Sequence, residues 1–180
     1  MSSCNLTMLL LGTALLAGCG DNLIPSGEDK RPAVQAGTTG SAVGQLAPAF
    51  SVPDIGSAAV TLTDALAGRQ GIVLYFSMWC PVCDSHMNNM RSYVAPNFPQ
   101  VGFYIVDYVS GSISDAASAA AASGFSGGGI SVLADISHQL AAAYMGTMGT
   151  TIVIDSAGIV RMNEDYRDGT RLSAVLANLL

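Results

Sequence analysis

The stretch GIVLYFSMWCPVC, residues 71–83, decides the fold of this 180-residue chain. Its first seven residues form a continuous apolar run with β-branched and aromatic side chains, which is typical of a strand buried on both faces. Pro81 favours the first position of a helix, and apolar residues continue with helical spacing as far as Val94. Cys80 and Cys83 therefore stand where a buried strand ends and a helix begins.

This placement gives the two cysteines a predicted redox chemistry. Cys80 would lie at the helix N-terminus, where unpaired backbone N–H groups and the helix macrodipole stabilise a thiolate. Cys83 follows one turn later on the same face. We expect the Cys80 thiolate to attack a substrate disulfide and Cys83 to resolve the mixed disulfide, while the reverse direction delivers a disulfide. A zinc site would need further ligands, which have no suitable spacing here, and a disulfide closing four residues would restrict the unfolded chain little.

Downstream of this stretch, strand and helix signals alternate. Strands are predicted at 101–109 and 130–134 and in a hairpin of 150–154 with 158–162, and helices at 112–123, 137–144 and 170–179. Asp107 and Asp155 end strand signals and are predicted to be turn or capping groups. The pattern indicates an α/β fold, with a central mixed β-sheet and helices on both faces.

The N-terminal residues predict export and a lipid anchor. Residues 6–18 are uncharged and mostly apolar, but too short to span a bilayer as a helix. They end in Leu16-Ala17-Gly18-Cys19, which resembles the lipobox of bacterial lipoproteins. The resemblance implies a signal peptide over residues 1–18, removed together with Cys4, and lipidation of Cys19. Residues 19–43 are then a lipidated N-terminus and flexible linker rich in Gly, Ser, Thr and Pro, and residues 44–180 are the folded domain.

Composition argues against a nucleic-acid binder and against a disordered chain. The chain has 7 Lys and Arg against 13 Asp and Glu, for a net charge of −6, so it lacks the basic surface of a nucleic-acid binder. Half of its residues are apolar and 11% are charged, which is enough apolar material for a buried core and argues against disorder. The glycine-rich segment 124–129 lacks the Lys and Ser or Thr of a phosphate-binding loop.

Several blocks of sequence, in order, carry a family resemblance. They are residues 43–50 (VGQLAPAF), 71–76 (GIVLYF), 79–83 (WCPVC) and 150–158 (TTIVIDSAG). Together they resemble the redoxin (AhpC/TSA) branch of the thioredoxin superfamily, and most nearly the exported thiol–disulfide oxidoreductases of the TlpA/ResA kind. The resemblance implies a thioredoxin-like fold with an N-terminal extension and a location on the periplasmic side of a bacterial cell envelope. It also implies protein thiols and disulfides as substrates, with the Cys80–Cys83 pair as the redox centre and no other cofactor.

Two positions depart from the pattern of that family. Gly149 stands where a cis-proline usually faces the cysteines, before Thr150, so we expect a trans or otherwise altered loop. His86 stands where a glutamate often helps to move protons. It lies one helical turn beyond Cys83, so it either exchanges protons with the cysteines or is a surface residue of the helix. Trp79 is expected to cover the cysteine pair.

Two other functions remain open at this point. Met145 and Met148 bracket the loop expected to face the cysteines and Met78 precedes them, so thioether and thiolate sulfurs could gather around Cu(I). The Sco-type copper carriers share the fold but normally use a Cys-x-x-x-Cys spacing and a distant His.

The other open function is that of a thiol peroxidase. Ser77 lies three residues before Cys80, where peroxiredoxins place Thr or Ser. Their proline is missing, because the corresponding position is Val73.

Overall fold

Seven strands and five α-helices make up the part of the chain that the computed structural model describes, residues 34–127 and 129–179. The strands are β1 (Ser51–Pro53), β2 (Ala59–Thr61), β3 (Gly71–Ser77), β4 (Val101–Asp107), β5 (Ile130–Ala134), β6 (Thr150–Asp155) and β7 (Val160–Asp165). The helices are α1 (Leu62–Leu66), α2 (Pro81–Asn89), α3 (Ile113–Ala122), α4 (Gln139–Tyr144) and α5 (Thr170–Ala177). The predicted signal peptide and the lipidation site Cys19 lie outside these residues and stay predictions.

The main sheet has five strands in the order β5-β4-β3-β6-β7. Strands β3, β4 and β5 run parallel to one another, whereas β6 is antiparallel to β3 and β7 is antiparallel to β6. The predicted mixed sheet and its terminal hairpin are therefore confirmed. Strands β1 and β2 form a separate antiparallel pair.

Helices cover both faces of the main sheet, as predicted. Every residue of β3 is buried. On one face, Val73 and Tyr75 pack with side chains of α2, α3 and α5; on the other, Leu74 and Phe76 pack with side chains of α1 and α4. Because successive side chains of a strand point to opposite faces, the continuous apolar run of β3 is what this double cover requires.

The helix predicted over 81–94 changes its winding halfway. After α2, Met90–Val94 forms a π-helical turn, in which the Ala95 backbone N–H donates to the Met90 carbonyl, and Ala95–Asn97 forms a 3₁₀ turn. Met90 and Val94 are buried. The apolar spacing predicted the buried face of the whole segment correctly, but not the wider turn.

The last residues of the predicted linker contact the folded domain. The Gly40 N–H donates to the Leu46 carbonyl and the Gly44 N–H to the Val160 carbonyl, each at 2.9 Å. The Asn163 side chain donates to the carbonyl of Ser41, which is buried. Chain segments on either side of the predicted 43/44 boundary therefore bind to β7.

None of the described helices is long and apolar enough to cross a membrane.

Candidate active site

Cys80 is the N-cap residue of α2. Its backbone is extended, with φ −91° and ψ 161°, and its sulfur accepts a hydrogen bond from the Cys83 backbone N–H at 3.2 Å. Pro81 occupies the first helical turn, as predicted. The sulfur thus lies at the positive end of the helix dipole, where a thiolate is stabilised. Its side chain is partly exposed, which leaves it open to an approaching disulfide.

Cys83 lies beneath Cys80 and has no exposed surface. The two sulfurs are 2.7 Å apart, and both residues are free cysteines. Burial, the largest single influence, raises the pKa of the Cys83 thiol. Several hydrogen bonds together have a larger effect in the opposite direction, so the pKa of this thiol lies below its ordinary value. They come from the Cys80 side chain, from the backbone at Met78 and Cys80, and from the Ser77 side chain. Cys83 therefore holds a thiolate more readily than an isolated thiol would.

Trp79 is fixed beside the cysteines by a buried carboxylate. Its indole N–H donates to Asp107 at 2.8 Å, and its backbone N–H donates to the Ser77 hydroxyl at 3.1 Å. Asp107 is fully buried at the end of β4 and also accepts from the backbone of Val109 and Ser110. The prediction that Asp107 is a turn group is confirmed. No sequence pattern indicates that it also anchors Trp79.

His86 reaches the cysteines only through a tyrosine. Its Nδ1 lies 3.1 Å from the Tyr75 hydroxyl oxygen, and Tyr75 in turn packs in the same buried cluster as Cys83. Among the described residues, no hydrogen bond joins His86 to either cysteine. Burial lowers the pKa of His86, and it also raises the pKa of Tyr75, which the neighbouring Cys83 raises further. The sequence did not predict a role for Tyr75 in the site, because the residue stands within the continuous apolar run of a buried strand.

The loop that faces the cysteines bends at Gly149, whose φ is +87°. Its N–H donates to the Phe76 carbonyl at 2.9 Å, and its carbonyl accepts from the Tyr166 N–H at 2.8 Å. The described residues contain no cis peptide bond. A Cβ at Gly149 would meet nothing within 4 Å, so the positive φ, and not crowding, is what favours glycine here. Thr150 follows as a buried residue whose hydroxyl accepts from the Thr147 N–H.

One of the three candidate methionines contacts the cysteine pair. The Met148 sulfur lies 3.5 Å from the Cys80 sulfur. The side chains of Met78 and Met145 are exposed, Met145 by 74%, and within the described residues neither of their thioether sulfurs forms a hydrogen bond to a cysteine sulfur. In the same part of the chain, no three His, Cys, Asp or Glu side chains converge in a way that would hold a metal ion.

The fold and the site together define a class of protein. A mixed sheet with helices on both faces carries a Cys-x-x-Cys at the N-terminus of the helix that follows a central strand, which is the arrangement of the thioredoxin-like redox proteins. The chain belongs to the AhpC/TSA family, whose model matches residues 43–163. It is accordingly an oxidoreductase of the redoxin type, as the sequence predicted. No curated protein matches the chain.

Solved structures confirm the thioredoxin-like fold. A putative protein disulfide isomerase from Bacteroides thetaiotaomicron is 19% identical, with a TM-score of 0.63 over 76% of this chain and 87% of its own. MTB dsbF, solved in mixed oxidised and reduced forms, is 21% identical, with a TM-score of 0.61 over 73% of this chain and 95% of its own. The peroxidoxin BcpB from Mycobacterium tuberculosis is 22% identical, with a TM-score of 0.60 over 76% of this chain and 95% of its own.

Proposed function

We propose that this protein exchanges disulfides with other proteins, with Cys80 as the nucleophile and Cys83 as the resolving residue. The observation that carries the proposal is a partly exposed sulfur at a helix N-cap, 2.7 Å from a fully buried one. The open thiolate attacks one sulfur of a substrate disulfide, and the other substrate sulfur leaves as a thiolate that takes up a proton. The buried sulfur then attacks Cys80, which releases the second substrate thiol and leaves a Cys80–Cys83 disulfide. The reverse sequence oxidises a substrate dithiol.

A trapping experiment tests the order of attack. Cys4 and Cys19 are replaced by Ser in both proteins compared. Reduced Cys83→Ser protein is incubated with a peptide that carries one intramolecular disulfide, and the products are separated without reductant. We expect one peptide bound per chain through Cys80, released by dithiothreitol, and no capture by Cys80→Ser. Capture by Cys80→Ser at the same level, or no capture by Cys83→Ser, contradicts the proposal.

The location of the protein belongs to the same proposal. Lipidation of Cys19 would tether the domain to a membrane of the bacterial cell envelope, on its periplasmic side, where secreted proteins carry disulfides. The full chain expressed in a bacterium fed an alkyne-bearing fatty acid should take up the label and fractionate with membranes. The Cys19→Ala variant should lose the label. Equal labelling of the two proteins contradicts the tether.

A second candidate function, Cu(I) binding, is favoured by one observation. The sulfurs of Cys80, Cys83 and Met148 form a continuous soft-ligand cluster, with neighbouring sulfurs 2.7 and 3.5 Å apart. Anaerobic titration with Cu(I) against a competing chelator tests it. Stoichiometric binding that weakens in Met148→Leu supports a copper carrier, whereas an oxidoreductase alone should release the metal to the chelator in both forms.

The thiol peroxidase alternative is tested on the same preparation. The Ser77 hydroxyl accepts from the Trp79 backbone N–H and contributes to lowering the pKa of the Cys83 thiol. We expect hydrogen peroxide to oxidise the pair far more slowly than a peptide disulfide does. Peroxide turnover that matches or exceeds disulfide exchange would favour the peroxidase.

A further inference from the structure

We propose that Tyr75 is a proton-transfer residue that connects the buried Cys83 thiol to His86 and, through it, to solvent. The inference rests on the proposed function, because it concerns the step in which Cys83 resolves the mixed disulfide. Cys83 must lose its proton in that step, since the thiolate and not the thiol is the nucleophile. The side chain has no exposed surface, so water does not take this proton directly.

The geometry places Tyr75 next to both groups. Its side chain is fully buried on the α2 face of the sheet, in the same cluster as Cys83, and its hydroxyl forms a hydrogen bond with His86 Nδ1 at 3.1 Å. The Cys83 thiol lies close enough to this hydroxyl to raise the pKa of Tyr75. His86 is only partly buried, one helical turn beyond Cys83. Its imidazole is therefore the point at which the path meets water.

The histidine ring is held in place for this role. The Tyr166 ring lies 4.9 Å from it, centroid to centroid, and the Tyr166 hydroxyl donates to the Asn89 side chain at 2.6 Å. The Tyr75 ring packs edge-on against both His86 and Tyr166, at 6.1 and 6.0 Å. The imidazole thus contacts two aromatic rings, and its position relative to the Tyr75 hydroxyl is fixed by packing as well as by the hydrogen bond.

Every proton that moves in this step has a donor and an acceptor. As Cys83 attacks the Cys80 sulfur, its S–H bond breaks and the proton passes to the Tyr75 oxygen. The original phenolic proton passes to His86 Nδ1, and the imidazole releases the proton on Nε2 to water, so that Tyr75 remains neutral throughout. Neutral imidazole is the form that accepts this proton. The leaving substrate sulfur takes up a proton from solvent, and the pair ends as a disulfide.

A two-phase reaction isolates the step. Cys4 and Cys19 are replaced by Ser in every protein compared, so that only the redox pair is counted. When this reduced protein reacts with 5,5′-dithiobis(2-nitrobenzoate) in a stopped-flow instrument, attack by Cys80 releases one nitrothiobenzoate, and resolution by Cys83 releases the second. In Tyr75→Phe we expect an unchanged first phase and a second phase slowed by about a hundredfold, the lower end of what positioned proton transfer contributes. His86→Ala should slow the second phase in the same way, and imidazole added to the buffer should restore it.

The matched control is Tyr144→Phe, which also removes a buried hydroxyl. Tyr144 has no exposed surface, lies on the opposite face of the sheet and donates to the Pro48 carbonyl. Both phases should keep their wild-type rates in this variant. Near-ultraviolet circular dichroism of each variant confirms that it is folded, and the imidazole rescue keeps the test decisive if Tyr75→Phe does not fold.

The outcomes separate this inference from the proposed function. An unchanged second phase in Tyr75→Phe, or imidazole that accelerates wild type as much as His86→Ala, overturns the relay. Release of a single equivalent by wild type, or of two by Cys83→Ser, overturns the resolving role of Cys83 itself. Slowing of the second phase alone, with rescue by imidazole, supports the relay.

Discussion

Asp107 illustrates how a single buried residue positions the site. Its carboxylate accepts hydrogen bonds from the Trp79 indole, from the backbone of Val109 and Ser110 and from the Ser110 hydroxyl. Each of these neighbours is a donor, so a carboxylate, which only accepts, suits the position. Trp79 has a left-handed backbone with φ 55° immediately before Cys80. The hydrogen bond to Asp107 therefore holds Trp79 in place immediately before the nucleophile Cys80.

Asp107→Asn should destabilise the protein and release Trp79. The amide group would face donors and leave at least one of them unpaired, so we expect the free energy of unfolding to fall by about 1–3 kcal/mol. Urea denaturation of the reduced protein measures it. Trp79 is the only tryptophan of the chain, so its fluorescence emission reports a more solvated indole. Trp79→Phe removes one donor and leaves the carboxylate bound to the others, so it should lower the free energy of unfolding by less than Asp107→Asn does. Wild-type stability and emission in Asp107→Asn would refute this account.

The pKa of Cys83 also makes the stability of the reduced protein depend on pH. The pKa of this thiol lies below its ordinary value of 9.0 in the folded protein. Between the folded pKa and the unfolded one, the unfolded chain binds more protons, so stability rises with pH across that interval. This contribution is lost as pH falls through the folded pKa.

We therefore expect the reduced wild type to gain stability over Cys83→Ser as pH rises. Free energies of unfolding are compared for the two proteins from about pH 6 to about pH 9, in excess reductant. The difference should grow with pH and level off near the unfolded pKa. Curves that stay parallel over the whole range would be inconsistent with a lowered Cys83 pKa.

At the scale of structural elements, the loop before β6 is built around the backbone of Gly149. Alanine at this position would meet no neighbour but would have to adopt φ +87°, which costs about 1–2 kcal/mol. Proline would cost more, because its φ is fixed near −65° and it cannot donate the hydrogen bond to the Phe76 carbonyl. Denaturation midpoints of Gly149→Ala and Gly149→Pro measure the two losses. A proline variant as stable as the alanine variant would mean that this loop readily adopts another path.

The elements themselves were largely predictable from the sequence. Continuous apolar runs predicted the strands of the main sheet to within a few residues, and the Cys-Pro-x-Cys spacing predicted the helix start that positions Cys80. The strand predicted to end at 109 stops at Asp107 because that side chain binds the following backbone N–H groups. The helix predicted to start at 137 starts at Gln139, because His138 has a left-handed backbone.

The contacts within the site were less predictable. Tyr75 and His86 are 11 residues apart, and Trp79 and Asp107 are 28 apart, on different elements. No local spacing rule connects such pairs, because the register of strands and helices in three dimensions brings them together. The family resemblance did not help at these positions, since His86 stands where a glutamate is usual. Only the packing of α2 on β3 reveals that a tyrosine hydroxyl lies between the histidine and the buried thiol.

At the scale of the whole molecule, the main sheet separates two apolar cores. One core packs under α2 and includes Cys83 and Met87; the other lies across the sheet and includes Leu140 of α4. All three side chains have no exposed surface. Since both cysteines lie at the N-terminus of α2, only the first core supports the redox pair directly. Side-chain truncation in the second core should therefore lower the free energy of unfolding without changing the rates of thiol–disulfide exchange in the folded protein.

Matched truncations of the two cores test this separation. Met87→Ala and Leu140→Ala each delete a fully buried side chain, and each should lower the free energy of unfolding by about 2–5 kcal/mol. At a temperature where both variants are folded, Leu140→Ala should keep wild-type rates in both phases of the nitrothiobenzoate reaction. Met87→Ala should change at least the second phase, because the cavity lies under the helix turn that holds Cys83 against Tyr75. Equal effects of the two variants on the kinetics would mean that the sheet transmits packing changes from one core to the other.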